Sequence, residues 1–195
     1  MVMVNVIESI GMVREEVDFV TALETGTIRS YHEKHDSTLH ICNAIKGCGH
    51  LYSLDIEQKS IDIANDICKD VDNVTWVLGD SLQTIPYLCE SLSKESGSKD
   101  IFDFVLLDSV NVSSHILREF KLILPYMKNN SIIVVDDSGI NLDGKSINMI
   151  EPRAMKGIGI WEHLVEYNYP FEIKQINDRT SNIIFRVTES LKQTI

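Results

Sequence analysis

Apolar residues in this chain gather into short, β-branched runs, each closed by a carboxylate. The runs are Val20–Glu24 (VTALE), Leu51–Asp55 (LYSLD), Val74–Asp80 (VTWVLGD), Phe102–Asp108 (FDFVLLD) and Ile132–Asp136 (IIVVD). Their closing acids, Glu24, Asp55, Asp80, Asp108 and Asp136, lie 31, 25, 28 and 28 residues apart, close to the length of one strand–helix–strand unit. Between the runs, apolar positions recur at helical spacing, as in Ile61, Ala64, Ile67 and Cys68. Short buried strands alternating with amphipathic helices predict an α/β domain, doubly wound around a mostly parallel sheet.

The pattern places strands at 19–24, 50–55, 74–78, 102–107 and 131–136, with Lys128-Asn129-Asn130 as the turn into the fifth. Helices are expected at 5–17, from the Asp36-Ser37-Thr38 cap to 46, and at 58–69, 81–93, 113–127 and 153–167. The polar stretch KESGSKD and residues 138–150 read as loops. Two closing strands, 171–176 and 182–188, flank the turn Asn177-Asp178-Arg179. A hairpin there makes the last of seven strands antiparallel. No repeat or linker interrupts residues 1–195, so a single domain is expected.

Composition narrows the partners. A net charge of −11 with scattered basic residues disfavours nucleic acid and anionic membrane surfaces, since no basic cluster would replace their counterions. Cys42, Cys48, Cys68 and Cys89 form no CxxC pair or zinc spacing, and free thiols fit a cytoplasmic protein. The N-terminus lacks a cationic start and meets Glu8 and Arg14 early, which is unlike a signal peptide. No apolar stretch has the length of a membrane span.

In a parallel sheet, ligands bind beyond the carboxyl ends of the strands, so the five acids should share the site edge. Gly26 in Glu24-Thr25-Gly26-Thr27 would let backbone approach a ligand closely. A pyrophosphate cradle needs GxGxxG, whereas this loop has one glycine beside an acid. Glu24 would repel phosphate and suit a cationic cofactor. Asp55 can accept from both hydroxyls of a ribose, and Asp80 from an adenine amino group.

The segments ETGT, LYSLDI, LGDS, LLDS and VVDD fall in the order and spacing of class I S-adenosylmethionine-dependent methyltransferases. The chain resembles that family over residues 19–188. The resemblance implies a Rossmann-like methyltransferase fold. It places Glu24, Thr25, Gly26 and Thr27 at the methionine end of S-adenosyl-L-methionine, with Ser37 and Thr38 opening the next helix over the cofactor. Asp55 and Ile56 would lie at the ribose, Asp80 and Ser81 at the adenine, and Asp108 near the transferring methyl group. Leu107-Asp108 with Asp136-Asp137 is similar to catechol-type and macrocin-type O-methyltransferases, which implies a divalent metal (Mg²⁺, or Mn²⁺ or Ca²⁺) on Asp108, Asp136 and Asp137.

Two departures from that pattern stand out. Nine residues, IRSYHEKHD, replace the further glycines of the usual loop, and Asn111 takes the position of a catalytic lysine. Asn111 stays a catalytic-site candidate but cannot be a base; His115, Lys145 and Lys156 are candidates for that role from their expected positions at the site edge, with catalysis by positioning alone as the alternative. The expected reaction is O-methylation of a small-molecule or sugar hydroxyl. The alternatives are a methyltransferase-fold binding protein without catalysis and a nicotinamide-dependent oxidoreductase. A homo-oligomer in which a partner subunit completes the acceptor pocket stays open.

Overall fold

The computed structural model describes residues 2–31, 37–140, 156–177 and 180–195. A helix, α1 (Val2–Arg14), precedes strand β1 (Val20–Thr25). Then follow α2 (Ser37–Ala44), β2 (Gly49–Asp55), α3 (Gln58–Ile67), β3 (Val74–Leu78), α4 (Ser81–Ser96) and β4 (Phe102–Leu107). The chain continues through α5 (Ser113–Ile123), β5 (Met127–Val135), α6 (Ile158–Glu166), β6 (Glu172–Asn177), β7 (Thr180–Arg186) and α7 (Glu189–Lys192). The sheet order is β3-β2-β1-β4-β5-β7-β6.

β7 is antiparallel to β5 and to β6, while the β1–β5 pairings are all parallel. The expected reversed last strand is therefore present. It lies between β5 and β6, and its antiparallel pairing with β6 forms that edge of the sheet. The order turns back between β1 and β4, whose loops diverge to opposite sides and open a crevice at their carboxyl ends.

β4 explains the continuous apolar runs, because all six of its residues are buried between two layers of helices. On one face, Val105 and Leu107 pack with Ile116 and Phe120 of α5 and Ile160 of α6. On the other, Phe104 and Leu106 pack with Val6, Ile10 and Val13 of α1 and Ile41 of α2. Each such side chain contributes about 1.5–3 kcal/mol on leaving water. α1 ends at Arg14, three residues short of the expected limit, although Val17 still packs against that second face.

Several boundaries differ for local reasons. α4 runs on to Ser96 and stops where Gly97 adopts φ +70°, so Lys94, Glu95 and Ser96 of the KESGSKD stretch are helical. α5 ends at Ile123, and a 3₁₀ turn with Pro125 replaces its expected last turn. Lys128, Asn129 and Asn130 belong to β5 rather than to a turn. The 3₁₀ turn already reverses the chain, and Met127 pairs with Phe102 across a register shift. The start proposed for α6 at 153, and Lys145, lie outside the described residues. No helix among the described residues is long and apolar enough to cross a membrane.

Candidate active site

Gly26 sets the depth of the crevice. It has φ +84°, and a Cβ there would stand 2.5 Å from the Asp108 carbonyl oxygen and 2.9 Å from Ser109 Cα. Only glycine lets the β1 and β4 loops touch at this point. The Asp108 N–H donates to the Thr25 carbonyl at 3.0 Å, and Gly26 N–H to the Leu54 carbonyl at 2.8 Å. The ends of β1, β2 and β4 are thereby tied together.

A cavity of about 230 Å³ opens over these strand ends. Gly26, Asp55, Ile56, Asp80 and Ser81, five of the residues expected at the cofactor, line it, with Leu54, Gly79, Arg29, Ser109, Val110 and His115 beside them. The Asp55 carboxylate is almost wholly buried. It accepts from the Thr27 N–H at 3.1 Å and the Glu57 N–H at 2.8 Å, and Arg29 Nε stands 3.8 Å away. Arg29 also donates to the Ser109 carbonyl, so its half-exposed side chain crosses from the β1 loop to the β4 loop. Asp80 caps α4 by accepting from the Leu82 N–H at 2.9 Å.

The remaining residues of the first loop lie beneath the cavity rather than on its wall. Glu24 is fully buried and accepts from Ser37 Oγ at 2.5 Å, Thr38 Oγ1 at 2.7 Å and Ser53 Oγ at 2.9 Å. Burial pushes its carboxyl up to about 7, against the pull of those three hydroxyls. Thr27 shares a 3.1 Å hydrogen bond with Thr38. Glu24, Thr27, Ser37 and Thr38 thus clamp the first turn of α2 to the end of β1.

Sequence reading missed Glu119. Its buried carboxylate accepts from Thr25 Oγ1 at 3.0 Å, from Ser109 Oγ at 2.7 Å and from Ser81 Oγ. His115 Nε2 lies 3.2 Å from it and 3.0 Å from Ser81 Oγ. One side chain of α5 thereby joins the loops after β1, β3 and β4. A signal was present: Ile116, Glu119, Phe120 and Ile123 form one buried stripe at helical spacing, and an acid on such a stripe needs partners.

The acids of β4 and β5 meet a different neighbour. Lys156, almost fully buried, donates to Asp108 Oδ1, and its Nζ stands 3.6 Å from Asp137 Oδ2. Burial alone would lower this lysine's pKa; Asp108, Asp136 and Asp137 outweigh that and raise it. Burial raises Asp108, with Lys156 pulling the other way. Burial and then the charges of Asp108 and Asp137 push Asp136 well above the usual carboxylate range, and its Oδ1 is buried without a partner. No group of three or more acidic, histidine or cysteine side chains among the described residues is arranged to hold a metal. As folded, Asp108, Asp136 and Asp137 do not fit a divalent cation, because the Lys156 ammonium already bridges Asp108 and Asp137. Asn111 stands exposed on the loop between β4 and α5.

A model described as a methyltransferase domain matches residues 36–138, just over half of the chain. The chain belongs to that family. It is an S-adenosylmethionine-dependent methyltransferase, with the fold the resemblance implied. No curated protein sequence matches it. Among solved structures, this methyltransferase is similar to a Klebsiella pneumoniae protein described as an O-methyltransferase. The identity is 19%, with 94% of this chain and 80% of that one covered at a TM-score of 0.67. It is also similar to a Bacillus cereus O-methyltransferase in complex with S-adenosylhomocysteine (18%, 93% and 80%, TM-score 0.65). The MycE methyltransferase of mycinamycin biosynthesis, in complex with Mg, S-adenosylhomocysteine and mycinamycin VI, is 17% identical. There the coverage is 88% of this chain and 46% of that one, at a TM-score of 0.54.

Proposed function

We propose that this methyltransferase acts on a hydroxyl of a small molecule, a sugar hydroxyl included, with the cofactor seated in the crevice between β1 and β4. The observation that carries the reading is the almost fully buried Asp55 carboxylate on the cavity wall. It accepts from two backbone amides, and a carboxylate has about four acceptor positions, so capacity remains for a diol. Leu54, Ile56 and Val110 give the same cavity an apolar lining suited to a flat ring. A nicotinamide cofactor is disfavoured, since its pyrophosphate would meet a one-glycine loop with an acid beneath it.

When bound, S-adenosylmethionine supplies a methyl group made electrophilic by its sulfonium. The chain's part is largely positioning, because in-line displacement depends on holding donor and nucleophile in register. Asp55 and Asp80 would orient the nucleoside end, and Gly26 admits the chain of the cofactor close to the backbone. Asp108, with Asn111 three residues on, would face the acceptor hydroxyl. Lys156 holds the Asp108 carboxylate in place by donating to Oδ1, so the carboxylate can accept a hydrogen bond from that hydroxyl, orient its lone pair toward the methyl group and take up the hydroxyl proton that methylation of the oxygen releases. The amide of Asn111 could hydrogen-bond an acceptor but take up no proton at neutral pH.

Calorimetric titration with S-adenosylmethionine, with NADH as the comparison ligand, tests the cofactor assignment. Asp55→Ala is expected to lower S-adenosylmethionine affinity at least 10-fold, on the scale of one lost charge-assisted hydrogen bond, about 1.5–3 kcal/mol. Binding of NADH instead, or an unchanged affinity in the variant, would overturn the assignment. Turnover of S-adenosylmethionine across a panel of phenols, sugars and amines then tests the hydroxyl acceptor, and methylation of amines alone would refute it.

A further inference from the structure

The acceptor end of the site holds three acids on neighbouring strand ends, Asp108 after β4 and Asp136-Asp137 after β5. Left to themselves, such closely set carboxylates would repel one another. A proton or a cation must relieve them, and in this fold a cation is part of the chain. Lys156 Nζ bonds Asp108 Oδ1 and lies 3.6 Å from Asp137 Oδ2, and the residue is only 5% exposed.

The backbone around it is fixed as firmly as the ammonium. Lys156 N–H donates to the Asp137 carbonyl at 3.1 Å, Gly157 N–H to the Ser138 carbonyl at 3.2 Å, and Ser138 N–H to the Ser181 carbonyl on β7 at 2.8 Å. A Cβ on Gly157 would stand 2.8 Å from Ser138 Cβ and 2.9 Å from Ile183 Cδ1. The entry to α6 is thereby seated directly on the ends of β5 and β7. Hydrogen bonds on both sides of its Cα leave the lysine little freedom to point anywhere but into the acid cluster.

We propose that Lys156 is the resident cation of the acceptor end, its ammonium standing where a divalent metal would bind, so that this enzyme orients its acceptor without one. The proposal rests on the methyltransferase reading for its functional meaning, but its cation chemistry can be tested without turnover. A lysine suits the role because its ammonium is a compact point charge with three donors. A divalent ion would need the same oxygens and could enter only by expelling a buried ammonium. The consequence for the substrate is a requirement for a single hydroxyl next to Asp108. A vicinal diol, which two open coordination positions of a metal would select, gains nothing here.

The test is a titration of the full chain with Mn²⁺, followed by electron paramagnetic resonance, for the wild type, Lys156→Met and Lys156→Met/Asp108→Asn/Asp137→Asn. The wild type is expected to bind no stoichiometric Mn²⁺ and to melt at the same temperature with and without a chelator. Lys156→Met, which keeps the length of the stem and removes the charge, is expected to gain one Mn²⁺ site that the triple variant loses. One equivalent bound by the wild type, and lost on Asp108→Asn/Asp137→Asn, would overturn the proposal, and that measurement needs no lysine variant to fold. So would a folded Lys156→Met chain that binds no more Mn²⁺ than the wild type. In parallel, S-adenosylmethionine binding by the wild type reports on the methyltransferase reading by itself, so failure of one is distinguishable from failure of the other. Once an acceptor is in hand, monohydroxyl and vicinal-diol forms of it should turn over within a few-fold of each other, with no change on addition of Mg²⁺. A strict diol requirement would count against the lysine.

Discussion

At the ends of β1, β2 and β3 the acids are met mainly by neutral donors: Glu24 by three hydroxyls, Asp55 by the amides of Thr27 and Glu57, and Asp80 by the amide of Leu82. At the ends of β4 and β5 Asp108 and Asp137 are met by an ammonium. The two sides of the switch point therefore carry the same residue type for different ends. Neutral donors fix Asp55 and Asp80 without cancelling their charge, which leaves negative potential over the cavity for a cationic, hydroxyl-rich ligand. Lysine fixes its carboxylates by neutralising part of their charge, which suits a neutral acceptor. Arg29, 3.8 Å from Asp55 and half exposed to water, offsets the first side only weakly.

The comparison is broken most severely at Gly26, where the two sides touch. Gly26→Ala forces a methyl group to within 2.5 Å of the Asp108 carbonyl oxygen at φ +84°. Strain and overpacking together are expected to cost about 3 kcal/mol or more, with loss of cofactor binding. Urea unfolding and calorimetry read both, and near-native values would mean that the two loops can separate without harm.

Glu24 sharpens the comparison through pH. Its carboxyl is raised to about 7 in the fold from an ordinary value of 4.5. The folded state therefore holds an extra proton between those limits, and its contribution is fully present below about pH 4.5 and lost as pH rises through about 7. The difference amounts to about 3 kcal/mol at most. In Glu24→Gln that fall should vanish, so stability relative to the wild type rises from pH 4.5 to 7.5. Parallel profiles for the two proteins would show that the three hydroxyls fully offset the effect of burial on this carboxylate.

Glu119 gives the smallest effect. Glu119→Ala leaves the hydroxyls of Thr25, Ser81 and Ser109 without their shared acceptor, which should cost about 2 kcal/mol and weaken cofactor binding through the loosened loops. Thermal unfolding with and without S-adenosylmethionine separates the two effects. A variant that melts like the wild type would remove Glu119 from any role in joining the loops.

Much of this was legible before folding. Five acids closing five apolar runs located the sheet, its carboxyl edge and part of the cavity wall, because strand ends on a parallel sheet converge whatever the loops do. Glu24 was legible as important but not as buried, since its partners Ser37, Thr38 and Ser53 are brought to it by α2 and β2. The start of β5 was misread because Asn129 and Asn130 look like a turn; Asn130 does adopt φ +65°, but it sits within an irregular start to the strand, where its N–H donates to the Val187 carbonyl and the register with β4 shifts. Lys156 was one of three candidate bases with nothing to choose among them. Twenty residues separate it from Asp136 in sequence, and only the docking of α6 on Ser138 brings its ammonium to the acids.

The placement of β7 also bears on how the chain reaches its folded state. Until Thr180–Arg186 docks, β5 exposes one whole edge, and Ile132, Ile133, Val134 and Val135 stand there with unpaired backbone groups. This run is uncharged, β-branched and free of proline, the composition that recruits strands from other chains. Its natural partner is separated from it by about fifty residues of chain, so the seal comes late in folding. A chain stopped before Thr180 would retain the residues that line the cavity and lose the strand that keeps the sheet from pairing with its neighbours.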